Sequence, residues 1–409
     1  MPTGPATVQN ASPGVAPAAT TPVAGARARQ EWVDVARVFV VVMVVIMHVG
    51  IYHFTPMAEG SSAEGFWSQI SAVLQVVRMP ALLVLSGWLA GSRIRAGLGS
   101  ARTRRSIFAN AYLYVLWLAI YTVAAVALGA TTMAQAPAPS TYLTQLLLPY
   151  STLWFLAALA WYTAGLAALR RVPAPIVLTG LFALGWASTA AWPVTEGLWA
   201  NIPHMAIFFA VGVYARPVIA SIGSHPLAAT VGGVVASVLA GELARPLEAV
   251  GTPTYPLTFV QSLAGVAAVF GFASLATRLA PRLVRPMGYV GRRTLPIYVV
   301  HYLVIMAVTT TAGGPLYELD RALIFSEAGR WAYPLVLTGA IVALGVGLKE
   351  LSARAHLGWL FVMPHRPARL RRATRTAGTR AGGRAAERLG RPSRVAVLSA
   401  SATPLATVR

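Results

Sequence analysis

The chain has 409 residues, 56% of them hydrophobic and only 11% charged, with a formal net charge of +21. A soluble domain carries about 25% charged residues, so this composition leaves too little polar surface to cover a water-soluble globule. The basic excess could mark a nucleic-acid partner, but the arginines fall between apolar segments and in one tail, a membrane pattern that implies no specific nucleic acid. Cysteine is absent, which excludes disulfides, thiolate zinc sites and cysteine nucleophiles.

Residues 1–30 are rich in Ala, Pro, Thr and Gly without an apolar core, so they read as a disordered lead-in and not as a cleavable signal peptide. Apolar stretches then recur at 33–53, 67–91, 106–129, 152–169, 174–191, 203–215, 227–243, 257–277, 294–312 and 331–352. A spanning helix needs about 20 mostly apolar residues. The stretches therefore predict an all-α, polytopic membrane bundle of about ten transmembrane helices, filling residues 31–355. The sixth is short and could extend toward Ile222 past Pro217. From residue 356 the chain reads as an Arg-rich disordered tail, with ten arginines between Arg366 and Arg394, suited to anionic lipid heads.

Charge sets the orientation. With residue 30 in the cytoplasm, the inner loops 92–105, 170–173, 216–226 and 278–293 carry thirteen arginines, and the outer loops carry only Arg245, Arg321 and Arg330. The positive-inside rule then puts both termini in the cytoplasm of a multi-pass cell-membrane protein. The outer loops are too short for a separate domain, so any chemistry belongs to the lipid-embedded bundle.

An ionisable group inside a bilayer is costly and marks function by default. The first span reads Asp34-Val-Ala-Arg37, then ten residues, then His48. Eleven residues are about three turns, so Arg37 and His48 share a face, about 16 Å apart along the axis. Asp34 lies one turn before Arg37 and can pair with it. Two readings stand side by side. In one, Arg37 holds an anionic or carbonyl group and His48 is a general base in a cavity. In the other, Asp34 and Arg37 form an interfacial pair and His48 is satisfied by a neighbouring helix.

Arg78 falls within a span and needs protein or water around it, while Pro80, Ser86 and Gly87 suit a kink and close packing. Tyr298 and His301 are three apart in the ninth span, either hydrogen-bonded to each other or part of a site. His204 reads as interfacial, and His53, His225, His356 and His365 as peripheral. Arg102-Thr-Arg104-Arg105 either sets topology or binds phosphate through guanidinium forks. No nucleotide-loop, HExxH or GxSxG pattern occurs in a credible context, and nothing suggests a bound metal.

Taken together these stretches resemble the membrane acyltransferase family 3. The resemblance is carried by Asp34 to Arg37, the Arg-x10-His spacing to His48, Met79-Pro80, Leu85-Ser86-Gly87, the Arg-x-x-Arg of Arg102 and Arg105, Leu153-Trp154-Phe155-Leu156, and Leu295-Pro-Ile-Tyr-Val-Val-His301. Leu83-Val84 departs from the family's paired aromatics, and Ala36 with the following Val-rich run departs from its usual first-span sequence. The resemblance implies no bound cofactor. It implies an acyl-CoA donor, a hydroxyl acceptor on a sugar or secreted metabolite, and essential roles for Arg37 and His48. Arg102 and Arg105 would hold CoA phosphates, with Tyr298 and His301 on the site wall. The rival readings are a transporter with an Arg/His substrate path, a lipid-linked glycosyltransferase, and a structural scaffold.

Overall fold

The computed structural model describes residues 24–190 and 201–364, which are helical with no strand among them. α1 (Ala24–Val49) passes into a π-helical turn at Gly50–Phe54 and the short α2 (Thr55–Ala58). α3 (Ser62–Ala96) and α4 (Ala101–Ala127) follow. α5 (Tyr142–Leu147), α6 (Trp154–Ala168), α7 (Ala174–Ala190), α8 (Asn201–Tyr214) and α9 (Arg216–Ser224) come next. Then come α10 (Pro226–Ala249), α11 (Tyr255–Leu279), α12 (Pro281–Gly291), α13 (Thr294–Thr310), α14 (Pro315–Phe325) and α15 (Glu327–Arg354).

Local chemistry explains the boundaries. Ser61 caps α3, accepting from the Glu64 amide at 3.1 Å, and Gly97 ends it at a positive φ of 74°. Ser326 caps α15 the same way through the Gly329 amide. Proline stands in the first turn of α9, α10, α11, α12 and α14, where its missing N–H costs nothing.

Every predicted apolar stretch falls on helix where it is described, but the count of ten spans is not confirmed. Among the described residues six helices are long and apolar enough to cross a membrane, or up to eight if each of two bent pairs is one span. α8 and α9 meet at 71°, with Pro217 in the first turn after the bend, so the sixth stretch does not run straight on to Ile222. α12 and α13 meet at 73°. α6 and α7 are apolar but shorter, and 15 residues of α6 rise only about 22 Å against a hydrocarbon core of about 30 Å. Hydropathy adds up apolar residues without asking whether one straight helix carries them.

α1 lies at the centre, packed on α3, α11, α12, α13 and α15. Ala36, Val40, Val45 and Val49 are fully buried there. α3 and α8 touch backbone to backbone. A Cβ at Gly87 would strike the Phe209 carbonyl, and one at Gly212 would strike that of Val84. Lipid offers no hydrophobic drive between helices, so such close packing replaces it.

α1 begins at Ala24, inside the lead-in expected over 1–30, whose earlier part lies outside the described residues. Within the first residues of the stretch expected as a tail from residue 356, Gly358–Leu360 forms a 3-10 turn. Trp117 donates to the Leu360 carbonyl at 2.7 Å, Tyr112 to that of Trp359 at 3.1 Å, and Phe361 is buried. Aromatic burial anchors this stretch. The arginine-rich part, Arg366 to Arg394, lies outside the described residues.

Candidate active site

α1 and α13 bring His48 and His301 together. Their rings lie 4.8 Å apart, with His48 Nδ1 2.9 Å from His301 Nε2. The far nitrogen of His301, Nδ1, faces the backbone carbonyl of Tyr298. A carbonyl only accepts, so this Nδ1 carries the proton. With both rings neutral, His301 Nε2 then offers a lone pair, and His48 Nδ1–H donates to it. One lone pair remains, on His48 Nε2. The tautomers are assigned from the hydrogen-bond partners. His301 is fully buried, and Tyr52 stacks on His48 at 5.6 Å and 14°. The Tyr298 phenol does not reach His301 but donates to the Thr152 carbonyl at 2.5 Å.

Tyr298, whose backbone carbonyl meets His301, also lines a cavity of about 200 Å³, to whose wall neither imidazole contributes. Arg37 and Val41 of α1, Leu85 and Ser86 of α3, Phe155 and Leu156 of α6, and Leu295 and Tyr298 of α13 all line it. These come from four separate stretches of the chain, and the bundle gathers them around one space. Arg37 is 28% exposed and donates to Asp34 at 3.2 Å; Asp34 also meets Arg292, at 3.5 Å, beyond the end of α12. Asp34 therefore fixes the guanidinium without enclosing it. Asn110 and Thr294, which the sequence reading passed over, complete the polar lining. Asn110 had a signal, being an amide within the apolar stretch 106–129.

Arg102 and Arg105 are exposed in the first turns of α4, outside this cavity, and no ion pair engages them among the described residues. Arg104 donates to the carbonyls of Leu98 and Gly99. Arg78 is buried in α3 at 8% exposure.

A second polar cluster lies past the π turn. His53, expected at the periphery, is 2% exposed. Its Nδ1 is 3.0 Å from Thr309 Oγ1, its Nε2 is 3.2 Å from both Asp320 oxygens, and the Tyr333 hydroxyl donates to Asp320. Burial pushes the Asp320 carboxyl up, but the hydrogen bonds from His53 and Tyr333 and the charge of Arg321 outweigh it, leaving the group below its ordinary value.

An apolar helix bundle that holds paired imidazoles and an arginine-lined cavity fits a membrane protein with polar groups inside its helices. The chain belongs to the membrane acyltransferase family 3: the family's model, described as an acyltransferase domain, matches residues 30–349. No curated protein and no solved structure matches the chain. The family and the apolar helices together fit a multi-pass membrane acyltransferase.

Proposed function

We propose that the protein is an O-acyltransferase that moves an acyl group from acyl-CoA to a hydroxyl of a carbohydrate or secreted metabolite. The observation that carries this reading is the contact of His48 Nδ1 with His301 Nε2 at 2.9 Å, with the Tyr298 carbonyl on the far nitrogen of His301, an arrangement that assigns the proton of His48 to Nδ1 and the lone pair to Nε2. Acyl transfer to an alcohol needs a base for the hydroxyl proton, a partner for the carbonyl oxygen and a site without bulk water. His48 is the base. His301, oriented by the Tyr298 carbonyl, holds the ring and accepts from its Nδ1–H as positive charge develops. Arg37, steadied by Asp34, steers the donor into the cavity or polarises its thioester.

Arg102 and Arg105 hold the CoA phosphates on the cytoplasmic side, about 7–12 Å along α4 from Asn110. In this arrangement both termini are cytoplasmic, and the ten apolar helices, including the bent pairs and the shorter α6 and α7, serve as ten spans of a cell-membrane protein. The test is release of free CoA from acetyl-CoA by purified protein in liposomes, with a panel of sugar and macrolide-like acceptors. Acceptor-dependent release that disappears in His48→Ala supports the reading. No release with any donor or acceptor, from protein shown to be folded, turns it toward the transporter.

A further inference from the structure

Arg78 is a guanidinium inside an apolar bundle with its donors largely unspent. It is 8% exposed, and its one hydrogen bond, from Nη1, goes to the Ser71 carbonyl at 3.2 Å. Among the described residues no carboxylate lies within ion-pair distance of it. A guanidinium has five N–H donors, and a buried cation without a counter-ion is strongly disfavoured unless some group meets it.

Its place on α3 says where that group would be. Ser71, Arg78, Leu82, Leu85 and Leu89 recur at intervals of seven, four, three and four residues, which is one stripe of a helix. At one end of the stripe, Leu82, Leu85 and Leu89 line the cavity shared with Arg37 and Tyr298. At the other end, Ser71 lines a second hollow of about 260 Å³ with Gly50 and Thr55 of the segment after His48. Arg78 thus sits between the two spaces on α3, and on α1 His48 lies between Ile46 and Gly50, which line the second of them. The two helices pack on each other.

We propose that Arg78 is a catalytic residue that binds the oxyanion of the tetrahedral intermediate. This rests on the acyl-transfer reading above. As the acceptor oxygen bonds to the thioester carbon, the carbonyl π pair moves onto its oxygen and the hydroxyl proton passes to His48 Nε2. The Arg78 guanidinium and the imidazolium formed on His48 both attract the new oxyanion, which lowers the cost of forming it. Collapse restores the C=O bond, breaks the C–S bond and returns the proton from His48 to the leaving thiolate, giving ester and free CoA. A buried guanidinium with most of its donors free of protein partners among the described residues needs little reorganisation to do this, which is the condition for strong electrostatic catalysis.

The experiment is steady-state CoA release by wild type, Arg78→Ala and Arg78→Lys in liposomes, with and without millimolar guanidinium. Folding is checked by gel filtration and thermal melting. Arg78→Ala is expected to lose about 10²–10³-fold in kcat with donor KM changed less than threefold, and guanidinium is expected to restore part of it. If the alanine variant does not fold, Arg78→Lys decides, with an expected kcat loss of about tenfold at unchanged KM, since an ammonium lacks the planar fork. Full activity in either folded variant, or a loss carried by donor KM, overturns the proposal. A wild type that releases no CoA overturns the acyltransferase reading instead.

Discussion

Two histidines of one continuous segment, His48 and His53, meet opposite fates. Both are buried and both bond across to α13, His48 to His301 and His53 to Thr309. Among the described residues His48 has one side-chain hydrogen-bond partner, His301, through Nδ1, whereas His53 has both nitrogens engaged, one of them with a carboxylate that Tyr333 also holds. The difference teaches that burial alone does not mark a catalytic imidazole. A base needs a free lone pair, and a clamp needs every nitrogen used. The π turn makes the pairing possible. On an α-helix, five residues would rotate His53 by about 140° from His48. The wider i→i+5 turn at Gly50–Phe54 takes more residues per revolution and returns His53 toward α13.

The largest expected effect is His48→Ala, a loss of about a thousandfold in kcat for CoA release with the protein still folded, within the range that general-base catalysis supplies. Activity near wild type would erase the distinction between the two histidines. His301→Ala comes next. It leaves the His48 Nδ1–H without its acceptor, and a lost buried hydrogen bond of about 1–3 kcal/mol translates to roughly 10–100-fold in kcat. His53→Ala should act on stability instead, by about 2 kcal/mol, because it strands the partly exposed Asp320 carboxylate. Its specific activity per folded molecule should stay within about threefold, which thermal melting in detergent beside the CoA assay would check. If activity falls with unchanged melting, His53 belongs to the reaction.

Acid sharpens the contrast further. Asp320 sits below its ordinary value, so its contribution to stability is fully present above the ordinary carboxylate range and is lost as pH falls through the folded value. Wild type should lose more melting temperature than Asp320→Asn on going from neutral to strongly acid pH, and equal losses would remove Asp320 from the clamp. The smallest effect is expected for Tyr298→Phe, under about fivefold in kcat. His301 takes its orientation from the Tyr298 backbone carbonyl, which the substitution leaves in place.

Much of the site was legible because bilayers punish charge. Asp34, Arg37 and His48 stood out as ionisable groups at helical spacing in an apolar run, and their ordered company with Leu85-Ser86-Gly87 and Leu295 to His301 carried the family resemblance. The pairing of Asp34 with Arg37 followed from a three-residue step, which is a local property of any α-helix. His53 was not legible as a buried group, since it lies at the end of its apolar stretch and its partners come from Thr309 and Asp320, far along the chain.

By itself the sequence determined that this is an apolar all-helical bundle, where its helices run, and which polar residues lie within them, because local spacing and the cost of charge in lipid fix those things. Only the tertiary structure decided that His48 meets His301, that the Tyr298 carbonyl and not its phenol orders the pair, and that five separate stretches enclose one cavity. It also decided that two apolar runs bend at their ends and two others stay short. Those outcomes depend on which faces of distant helices pack together, and no single helix carries that information.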